Sequence, residues 1–439
     1  MSRLHVKYLL VGGGIASLSA ARAIRAHDAA GSILMVAQEA VRPYHRARLP
    51  ELLARRASDV QHLFAVEPGW FADNRVELRT STRAERLDVP RMSAALDIGD
   101  DVSFERLLLA TGAPPRHLDI PGSTLPNVFY LRTLADADRI FHAIEQNKQL
   151  HRGTDESQRQ HARAVRRPRV IVIGGGLFGT EIAAGLSAGK VDVHIVEPAG
   201  HLWPRFAGEV TGKTVARAIE TGHGVNIHLS AQPDRFEGDG RVQRVVLSDG
   251  RNLACDLVIV AVGSVVSRNL LRGNAIACER AILVDRFCQT NIPAIFAAGD
   301  CCALLDPLFG KHRWIDYGDH AVITGGIAGT NMAAAEAPSP PAMFDRVNHF
   351  SLAAFDITLS GWGEARFVAR RLYRGTVGAG GGDLMEIGIG ADGRIAQILA
   401  LNHPAHADLL CSAVKLRLNV AGREELLSDP AASIQNWFD

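Results

Sequence analysis

The 439-residue sequence predicts an α/β fold with two βαβ units followed by a C-terminal α+β segment. Two glycine-rich turns, 12–17 and 174–179, each follow an apolar run and precede a stretch of small helix-forming residues. The order of strand, tight turn and helix is that of a βαβ unit. Beyond residue 341 the chain reads instead as short strands joined by turns, at 355–359, 366–372, 384–389 and 395–400, with one helix at 406–418.

Composition and charge exclude several classes of protein. Apolar residues make up 47% of the chain, charged residues 22%, and the net charge is +1. This balance argues against a nucleic-acid or membrane surface along the whole chain, although a local patch remains open. The six cysteines show no CxxC spacing, which suits a reducing compartment. Apolar runs such as 257–262 are too short to span a bilayer, and the first ten residues do not read as a secretory signal. We therefore expect a soluble, cytoplasmic protein.

The second glycine turn has the complete GxGxxG pattern. Gly174 allows a tight turn, Gly176 allows close approach of the backbone to a pyrophosphate, and Gly179 allows close packing of helix against strand. Leu177 and Phe178 lie between the last two glycines, where the helix begins. The unpaired N–H groups of that helix end attract phosphate. This pattern predicts a Rossmann-like, dinucleotide-binding βαβ domain.

An acidic residue stands where such domains bind a ribose. The apolar run 192–196 ends in Glu197, 23 residues after Gly174. A carboxylate there accepts hydrogen bonds from ribose hydroxyls and repels a 2′-phosphate. The sequence therefore predicts that NADH is preferred over NADPH.

The first glycine turn is a close copy of the second. A buried strand, 6–11, precedes it, and Ser17 replaces the third glycine. The next strand, 32–36, ends at Gln38 and Glu39, and either residue could hold a ribose hydroxyl. The candidate binding residues of this copy are Gly12, Gly14, Ala16, Ser17, Gln38 and Glu39. Two such modules in one chain predict two dinucleotides, for which FAD and NAD are the obvious pair.

A family resemblance begins just after the first ribose position. Pro43, Tyr44, Arg46 and Leu49 match the P-Y-x-R-P-P-L-S-K segment of pyridine-nucleotide:ferredoxin or rubredoxin reductases and of apoptosis-inducing factor. The segment resembles theirs only in part, because Glu51 replaces the lysine that lies beside the flavin in the family. The resemblance implies that Arg46 contacts FAD.

Further motifs follow in the order found in that family. An apolar strand ends in Ala-Thr-Gly, a later strand ends in Gly-Asp, and an Asp-His-Ala segment begins another helix, as in apoptosis-inducing factor. The resemblance implies FAD contacts for Ala84, Ala110, Thr111, Gly112, Arg132, Gly299, Asp300 and Tyr317. It also implies that Gly263 and Asp316 lie on the nicotinamide side.

The resemblance implies an FAD flavoprotein that takes hydride from NADH and passes electrons to a ferredoxin, a rubredoxin or another acceptor. Glu181, the acid of G-x-x-G-x-E, is then the candidate catalytic residue near both cofactors. Arg48 is a candidate partner for Glu181, because Glu51 cannot form the usual ion pair with it. The alternative is an NADH-sensing flavoprotein with slow turnover and redox-controlled dimerisation or partner binding.

The resemblance also implies interleaved domains. FAD would be bound by residues 1–113 and 264–335, NAD(H) by residues 114–263, and residues 342–439 would form an α+β cap or interface domain. A homodimer is possible through that last domain. The basic segment 148–169 is either a solvated loop or a docking patch for an acidic partner. No metal site is predicted, and Cys301 and Cys302 read as apolar filling or a strained disulfide.

Overall fold

The computed structural model describes residues 3–54, 60–151, 166–334, 340–375, 383–403 and 406–438. The chain divides into two compact units. The first unit comprises Met1–Arg46, Gln61–Pro114 and Ser264–Arg346, and the second comprises Ala47–Val60, Pro115–Gly263 and Val347–Asp439. The finer division into three domains stays a prediction.

Helices and strands alternate around the two glycine turns, over residues 3–36 and 128–228, as expected for the α/β class, whereas strands follow one another in 76–130, 226–314 and 349–401. The α-helices of the described residues are α1 Ile15–His27, α2 Trp70–Asp73, α3 Leu134–His151, α4 Leu177–Ala188, α5 Glu209–His223, α6 Gly318–Ala333, α7 Ala407–Lys415 and α8 Glu424–Ser428. The strands are β1 Arg3–Val11, β2 Ile33–Val36, β3 Val76–Arg79, β4 Ala84–Asp88, β5 Ser93–Leu96, β6 Asp101–Leu109, β7 Val128–Tyr130, β8 Arg169–Ile173, β9 Asp192–Val196, β10 Asn226–His228, β11 Pro233–Glu237, β12 Arg244–Leu247, β13 Asn252–Ala254, β14 Leu257–Val260, β15 Ile282–Val284, β16 Ile295–Ala297, β17 Cys302–Asp306, β18 Lys311–Trp314, β19 His349–Ala354, β20 Ile357–Gly363, β21 Arg370–Gly375, β22 Leu384–Ile389 and β23 Ile395–Leu401.

The first unit is built on a seven-stranded sheet. Its order is β3-β2-β1-β6-β5-β4, and β16 also pairs with β6. β1, β2, β3, β6 and β16 pair in parallel, so that their carboxyl ends meet at one edge. Helices α1 and α6 pack closely, because a Cβ at Gly325 would lie 2.2 Å from the carbonyl oxygen of Ala16 and one at Gly329 only 2.3 Å from that of Ala20. This packing brings the amino-terminal half of α6 beside the first glycine turn.

The second unit contains a sheet that is parallel throughout, with the order β10-β9-β8-β14-β7, whereas β5 of the first sheet pairs antiparallel with β4 and β6. Its central strands, β8 and β14, are buried almost throughout, as their unbroken β-branched and leucine sequence predicts. Each of the two glycine turns therefore follows a strand with a parallel neighbour on both sides, β1 in the first unit and β8 in the second. Nucleotide-binding sites in open α/β sheets lie at this carboxyl edge. The predicted fold class is confirmed.

The C-terminal part of the second unit is an antiparallel sheet with the order β19-β20-β23-β22-β21. The strands expected at 384–389 and 395–400 correspond to β22 and β23, which flank a turn in which Gly393 has a φ of +74°. The strand expected at 366–372 begins later, because residues 365–367 form a 3-10 turn capped by Glu364. Strand β19 was not expected, although its alternately buried residues have the period of a half-buried strand.

Membrane-spanning segments were also sought. Among the residues that the structure describes, no helix combines the length and the apolar character needed to cross a membrane.

Candidate functional site

The first glycine turn joins β1 to α1 in the first unit. Gly12 has a φ of +133°, and a Cβ on it would lie 2.0 Å from the carbonyl oxygen of Ala110. Any side chain there would collide with the backbone. Gly14 is the N-cap of α1, and a Cβ on it would meet no described atom within 4 Å. The amide end of α1 is thus open on the side where a phosphate would bind.

The predicted flavin motifs come together around this turn. A Cβ on Gly299 would lie 3.2 Å from the Cβ of Ala16. Next to it, Ala298 N donates a hydrogen bond to the carbonyl oxygen of Leu109 at 3.0 Å. The Sγ of Cys301 donates to the carbonyl oxygens of Leu109 at 3.2 Å and Ala298 at 3.3 Å, and so links the ends of the two strands that carry these motifs. The Ala-Thr-Gly and Gly-Asp segments therefore border the same glycine turn, as three separate motifs of one flavin site should.

Glu39 is held by two of the residues that carry the family resemblance. Tyr44 Oη donates to Glu39 Oε2 at 2.7 Å, Arg46 donates to Glu39 Oε1, and Arg46 Nη1 donates to Tyr44 Oη at 2.8 Å. Burial opposes the charge on Arg46, but Tyr44 and Glu39 outweigh it and leave the pKa of Arg46 raised. Gln38 is exposed. Of the two candidates for a ribose hydroxyl, Glu39 is therefore the one with a fixed orientation.

Asp300 and its neighbours complete the first site. Asp300 is partly exposed and interacts electrostatically with Arg46, and its carbonyl accepts a 2.7 Å hydrogen bond from Trp314 Nε1. Tyr317 is the N-cap of α6, and Asp316 Oδ2 accepts a hydrogen bond from Ser264 Oγ at 3.2 Å.

Two candidates of the first unit make no side-chain hydrogen bond among the described residues. Ala84 begins β4 and is partly buried, with no side-chain polar group to place. Ser17 is fully buried, and its Oγ has no hydrogen-bond partner among the described residues. The serine thus fits the space that the motif reserves for a glycine, at the cost of an unpaired hydroxyl.

The second glycine turn joins β8 to α4 and has the same construction. Gly174 has a φ of +113°, and a Cβ on it would lie 2.4 Å from the carbonyl oxygen of Ala261. Gly179 leaves even less room, since its Cβ would lie 2.0 Å from the carbonyl oxygen of Gly174. Gly176, by contrast, is the N-cap of α4 and has open space beside it among the described residues. Leu177 and Phe178 form the first turn of α4.

Glu197 lies at the end of β9, beside this turn. Its carboxylate is buried and accepts hydrogen bonds from Gly175 N at 2.7 Å and from Ala199 N at 2.9 Å. Each oxygen retains a second acceptor position, so that ribose hydroxyls can still donate to it. The cradle therefore fits a dinucleotide, with an open amide end for its pyrophosphate and a fixed carboxylate for its ribose.

Glu181 is the fifth residue of α4 and is partly buried. Burial raises the pKa of Glu181 to about 7. Arg48, the partner hypothesised for it, instead forms a salt bridge with Glu51, with Nε to Oε1 at 2.8 Å and Nη2 to Oε2 at 3.0 Å. Because the salt bridge of Arg48 is with Glu51, three residues later, the hypothesis of an Arg48–Glu181 pair gains no support from the structure.

The remaining candidates lie at the borders of the second unit. Gly263 follows β14 with a φ of +98°, and its carbonyl accepts a hydrogen bond from Arg116 N at 2.9 Å. Arg132 precedes α3, and its backbone N donates to Asp136 Oδ2 at 3.1 Å. The basic segment 148–169 falls largely outside the described residues, which resume at Arg166. In the described part of the chain, no group of three or more His, Cys, Asp or Glu side chains is arranged to hold a metal ion.

The structure also identifies residues that sequence reasoning missed. Tyr44 was predicted as part of a motif but not as a hydrogen-bond donor to Glu39. The hydrogen bond from Trp314 to the carbonyl of Asp300 was not predicted either. Trp203 was overlooked entirely, although it is fully buried against the second glycine turn. Each contact joins residues from separate elements, and no local pattern indicates it. The clearest indication that Trp203 matters is its burial with a φ of +58° before a proline, and this is visible only in the structure.

Comparisons with known proteins agree with this geometry. The family model described as "Pyridine nucleotide-disulphide oxidoreductase" matches residues 6–337. The chain is 31% identical to the biphenyl dioxygenase system ferredoxin–NAD(+) reductase component of Paraburkholderia xenovorans (strain LB400), over 75% of this chain and 76% of that protein. It is 27% identical to the rubredoxin–NAD(+) reductase of Pseudomonas putida, over 76% and 81% of the two chains. Its fold is similar to that in the covalent putidaredoxin reductase–putidaredoxin complex, with a TM-score of 0.86, 24% identity and coverage of 99% and 98%.

Proposed function

The chain belongs to the pyridine nucleotide-disulphide oxidoreductase family, and we propose that it is an FAD flavoprotein that takes hydride from NADH and passes electrons to a ferredoxin or a rubredoxin. The observation that carries this proposal is the pair of glycine cradles. Gly14 and Gly176 each leave an open amide end at a helix, and a carboxylate follows each cradle at the next strand. Relatives named as ferredoxin and rubredoxin reductases support the choice of acceptor.

The first unit would hold FAD. Gly14 would receive the pyrophosphate, Glu39 the adenosine ribose and Asp300 the ribityl chain, with Arg46 supplying positive charge between the last two. When bound, FAD accepts a hydride from NADH and releases the electrons singly to the acceptor. Gly12 and Gly299 let the backbone pass close enough for these contacts, since a side chain on Gly12 would strike Ala110.

The second unit would hold NADH. Gly176 would receive its pyrophosphate, and Glu197 would accept hydrogen bonds from the adenosine ribose. A buried carboxylate that is already fixed by two backbone N–H groups cannot turn away from a 2′-phosphate, so NADPH should bind less well. Glu181, with a pKa of about 7, would place a carboxyl group that is partly protonated at neutral pH on the same helix.

The test is to purify the protein and titrate it with NADH in the absence of oxygen. We expect one yellow, tightly bound FAD per chain. NADH should bleach its absorbance near 450 nm at a lower concentration than NADPH does. Glu197→Ala should shrink the difference between the two nucleotides. A colourless protein that takes up no added FAD, or one that NADPH reduces more readily, would contradict the proposal.

Two observations favour a second function, that of an NADH-sensing flavoprotein with slow turnover. Glu51 replaces the lysine of the reductases and forms its salt bridge with Arg48. The Asp319-His320-Ala321 segment, which resembles apoptosis-inducing factor, lies at the start of α6. Stopped-flow mixing separates the two functions. A reductase is reduced by NADH and reoxidised by a ferredoxin within its turnover time, whereas a sensor is slow in both steps and changes its elution volume with NADH.

Three further features of the proposal are the location of the protein, its oligomeric state and a surface for an acidic partner. We propose a cytoplasmic protein, which suits six free cysteines, and a homodimer formed through residues 342–439. Size-exclusion chromatography with light scattering measures the latter directly. We also propose that the basic segment 148–169 binds an acidic partner. Reversing the charge of Arg166 and Arg167 should then weaken binding of an acidic ferredoxin and flatten its salt dependence.

A further inference from the structure

Trp203 lies in the loop between Glu197 and helix α5, and its backbone conformation is unusual. Its φ is +58°, in the left-handed region that bulky side chains rarely adopt, and its side chain is completely buried. Phe206 N and Ala207 N donate to its carbonyl at 2.8 and 2.9 Å, which closes the loop around it. Strained residues of this kind persist only where the surrounding contacts require them.

Those contacts lead to the second glycine turn. Trp203 N donates to the carbonyl oxygen of Gly175 at 2.9 Å. Trp203 Nε1 donates to Thr180 Oγ1 at 2.9 Å, and Thr180 Oγ1 donates to the carbonyl oxygen of Gly176 at 3.0 Å. One tryptophan therefore anchors the carbonyl of Gly175 directly. Through the threonine hydroxyl it also supports a second donor to the carbonyl of Gly176, which accepts a helical hydrogen bond from Thr180 N at 3.0 Å as well.

Because of the geometry of the peptide bond, fixing these two carbonyl groups also fixes the N–H groups on the opposite side of the same peptide planes. The N–H and C=O of a trans peptide point in opposite directions, and the structure contains no cis peptide bond among its described residues. Holding the carbonyl of Gly175 therefore directs the N–H of Gly176 away from Trp203. Holding the carbonyl of Gly176 likewise directs the N–H of Leu177. These are the amide groups at the open end of α4, where a pyrophosphate would bind.

We propose that Trp203, acting through Thr180, is a positioning residue that presets the pyrophosphate cradle for the nicotinamide dinucleotide. This inference rests on the proposed function, in that it takes the second cradle as the NADH site. Because the peptide planes are fixed before the ligand arrives, the ligand does not have to order them, and its affinity is higher. Trp203 itself need not touch the dinucleotide.

The experiment compares steady-state kinetics of holoenzyme variants with NADH as donor and ferricyanide as acceptor. Trp203→Phe removes the indole N–H, and Thr180→Val removes both side-chain bonds. We expect KM for NADH to rise about threefold in the first and up to about tenfold in the second, with kcat and the FAD content per chain unchanged. Adding Trp203→Phe to Thr180→Val should cost little more, because both act through one hydroxyl. Thr180→Ser keeps the hydroxyl and should restore the affinity lost in Thr180→Val.

Two controls separate positioning from a general effect on the fold. Trp437 is equally buried, in the same unit, and its Nε1 has no hydrogen-bond partner among the described residues, so Trp437→Phe should leave KM for NADH unchanged. ADP-ribose contains the pyrophosphate and adenosine does not. The inhibition constant of ADP-ribose should therefore rise in parallel with KM for NADH, whereas that of adenosine should not.

The inference is overturned if Trp203→Phe and Thr180→Val lower the thermal midpoint but leave KM for NADH and the inhibition by ADP-ribose at wild-type values. It is also overturned if adenosine and ADP-ribose weaken equally. A wild-type protein whose flavin NADH does not reduce would refute the proposed function as well, which distinguishes that failure from the failure of Trp203 alone.

Discussion

Glu181 shows how burial of a single carboxyl group can tie stability to pH. Its pKa rises to about 7 because burial disfavours the charged form, whereas the unfolded chain ionises at its ordinary value of 4.5. Between these values the unfolded state releases a proton that the folded state keeps. The contribution of Glu181 is thus fully present below pH 4.5 and is lost as the pH rises through 7.

Glu181→Gln should remove this pH dependence. The variant has no charge to bury, so at pH 8 its free energy of unfolding should exceed that of the wild type by at most about 3 kcal/mol, and at pH 4.5 the two should be equal. Thermal midpoints of both proteins across this pH range provide the measurement. Glu67 is exposed, and Glu67→Gln is the matched control for the loss of one carboxyl group at the surface. Parallel curves for Glu181→Gln and wild type would contradict the assignment.

At the scale of elements, helix α5 is capped by a strand of the C-terminal sheet. Glu386 on β22 is fully buried, and its carboxylate accepts hydrogen bonds from Gly208 N, the N-cap of α5, at 2.9 and 3.0 Å. Thr211 Oγ1 donates to it at 2.6 Å and Arg371 Nε at 2.8 Å. A carboxylate at a helix N-terminus is stabilising, and these donors satisfy its charge.

Glu386→Ala should therefore be strongly destabilising. It leaves the guanidinium of Arg371 and two other donors without their acceptor, which we expect to cost about 3–5 kcal/mol. Glu386→Gln keeps one acceptor oxygen and should cost about 1–3 kcal/mol. The neighbouring pair Arg370–Glu424 is exposed to solvent, which screens its charges, so Glu424→Ala should cost far less than Glu386→Ala. Urea unfolding of the three variants at pH 7 measures the order, and a Glu424→Ala loss equal to that of Glu386→Ala would refute it.

At the scale of the whole molecule, the thiols are protected. Burial raises the pKa of Cys255 to about 12 and that of Cys301 to about 11, and Cys288 and Cys302 are shifted in the same direction. All six cysteines are free, and Cys301 and Cys302 form no disulfide with each other. Since the thiolate is the reactive form, these four thiols should be inert in the folded protein.

A thiol titration of the native protein should consequently detect at most two reactive groups, Cys278 and Cys411, which are partly exposed. All six should react in guanidinium chloride. NADH-dependent reduction of ferricyanide should survive the native treatment, because the proposed reaction uses no cysteine. A third fast-reacting thiol in the native protein would show that a buried cysteine is reached by a local opening.

The sequence predicts those features of the fold and the site whose residues lie close together along the chain. The glycine cradles and Glu197 were predictable because each role is set within one βαβ unit, by turn geometry and the end of the next strand. The contacts of Trp203 and Glu386 were not, because each joins elements that only packing brings together. Arg48 pairs with Glu51 for a local reason, since a carboxylate three residues away on the same turn competes with any distant one, and its pairing with Glu181 stays a hypothesis.

The cap on α5 has one more consequence. Helices α1, α4 and α5 all begin at a glycine that offers no side-chain cap, so all three present unpaired amide groups. On α5 alone a carboxylate from the same polypeptide already sits on those groups. Cellular phosphates therefore meet a resident competitor at that helix and not at the other two. By carrying its own counter-anion there, the chain occupies the amide end of a third glycine-started helix among those that the structure describes.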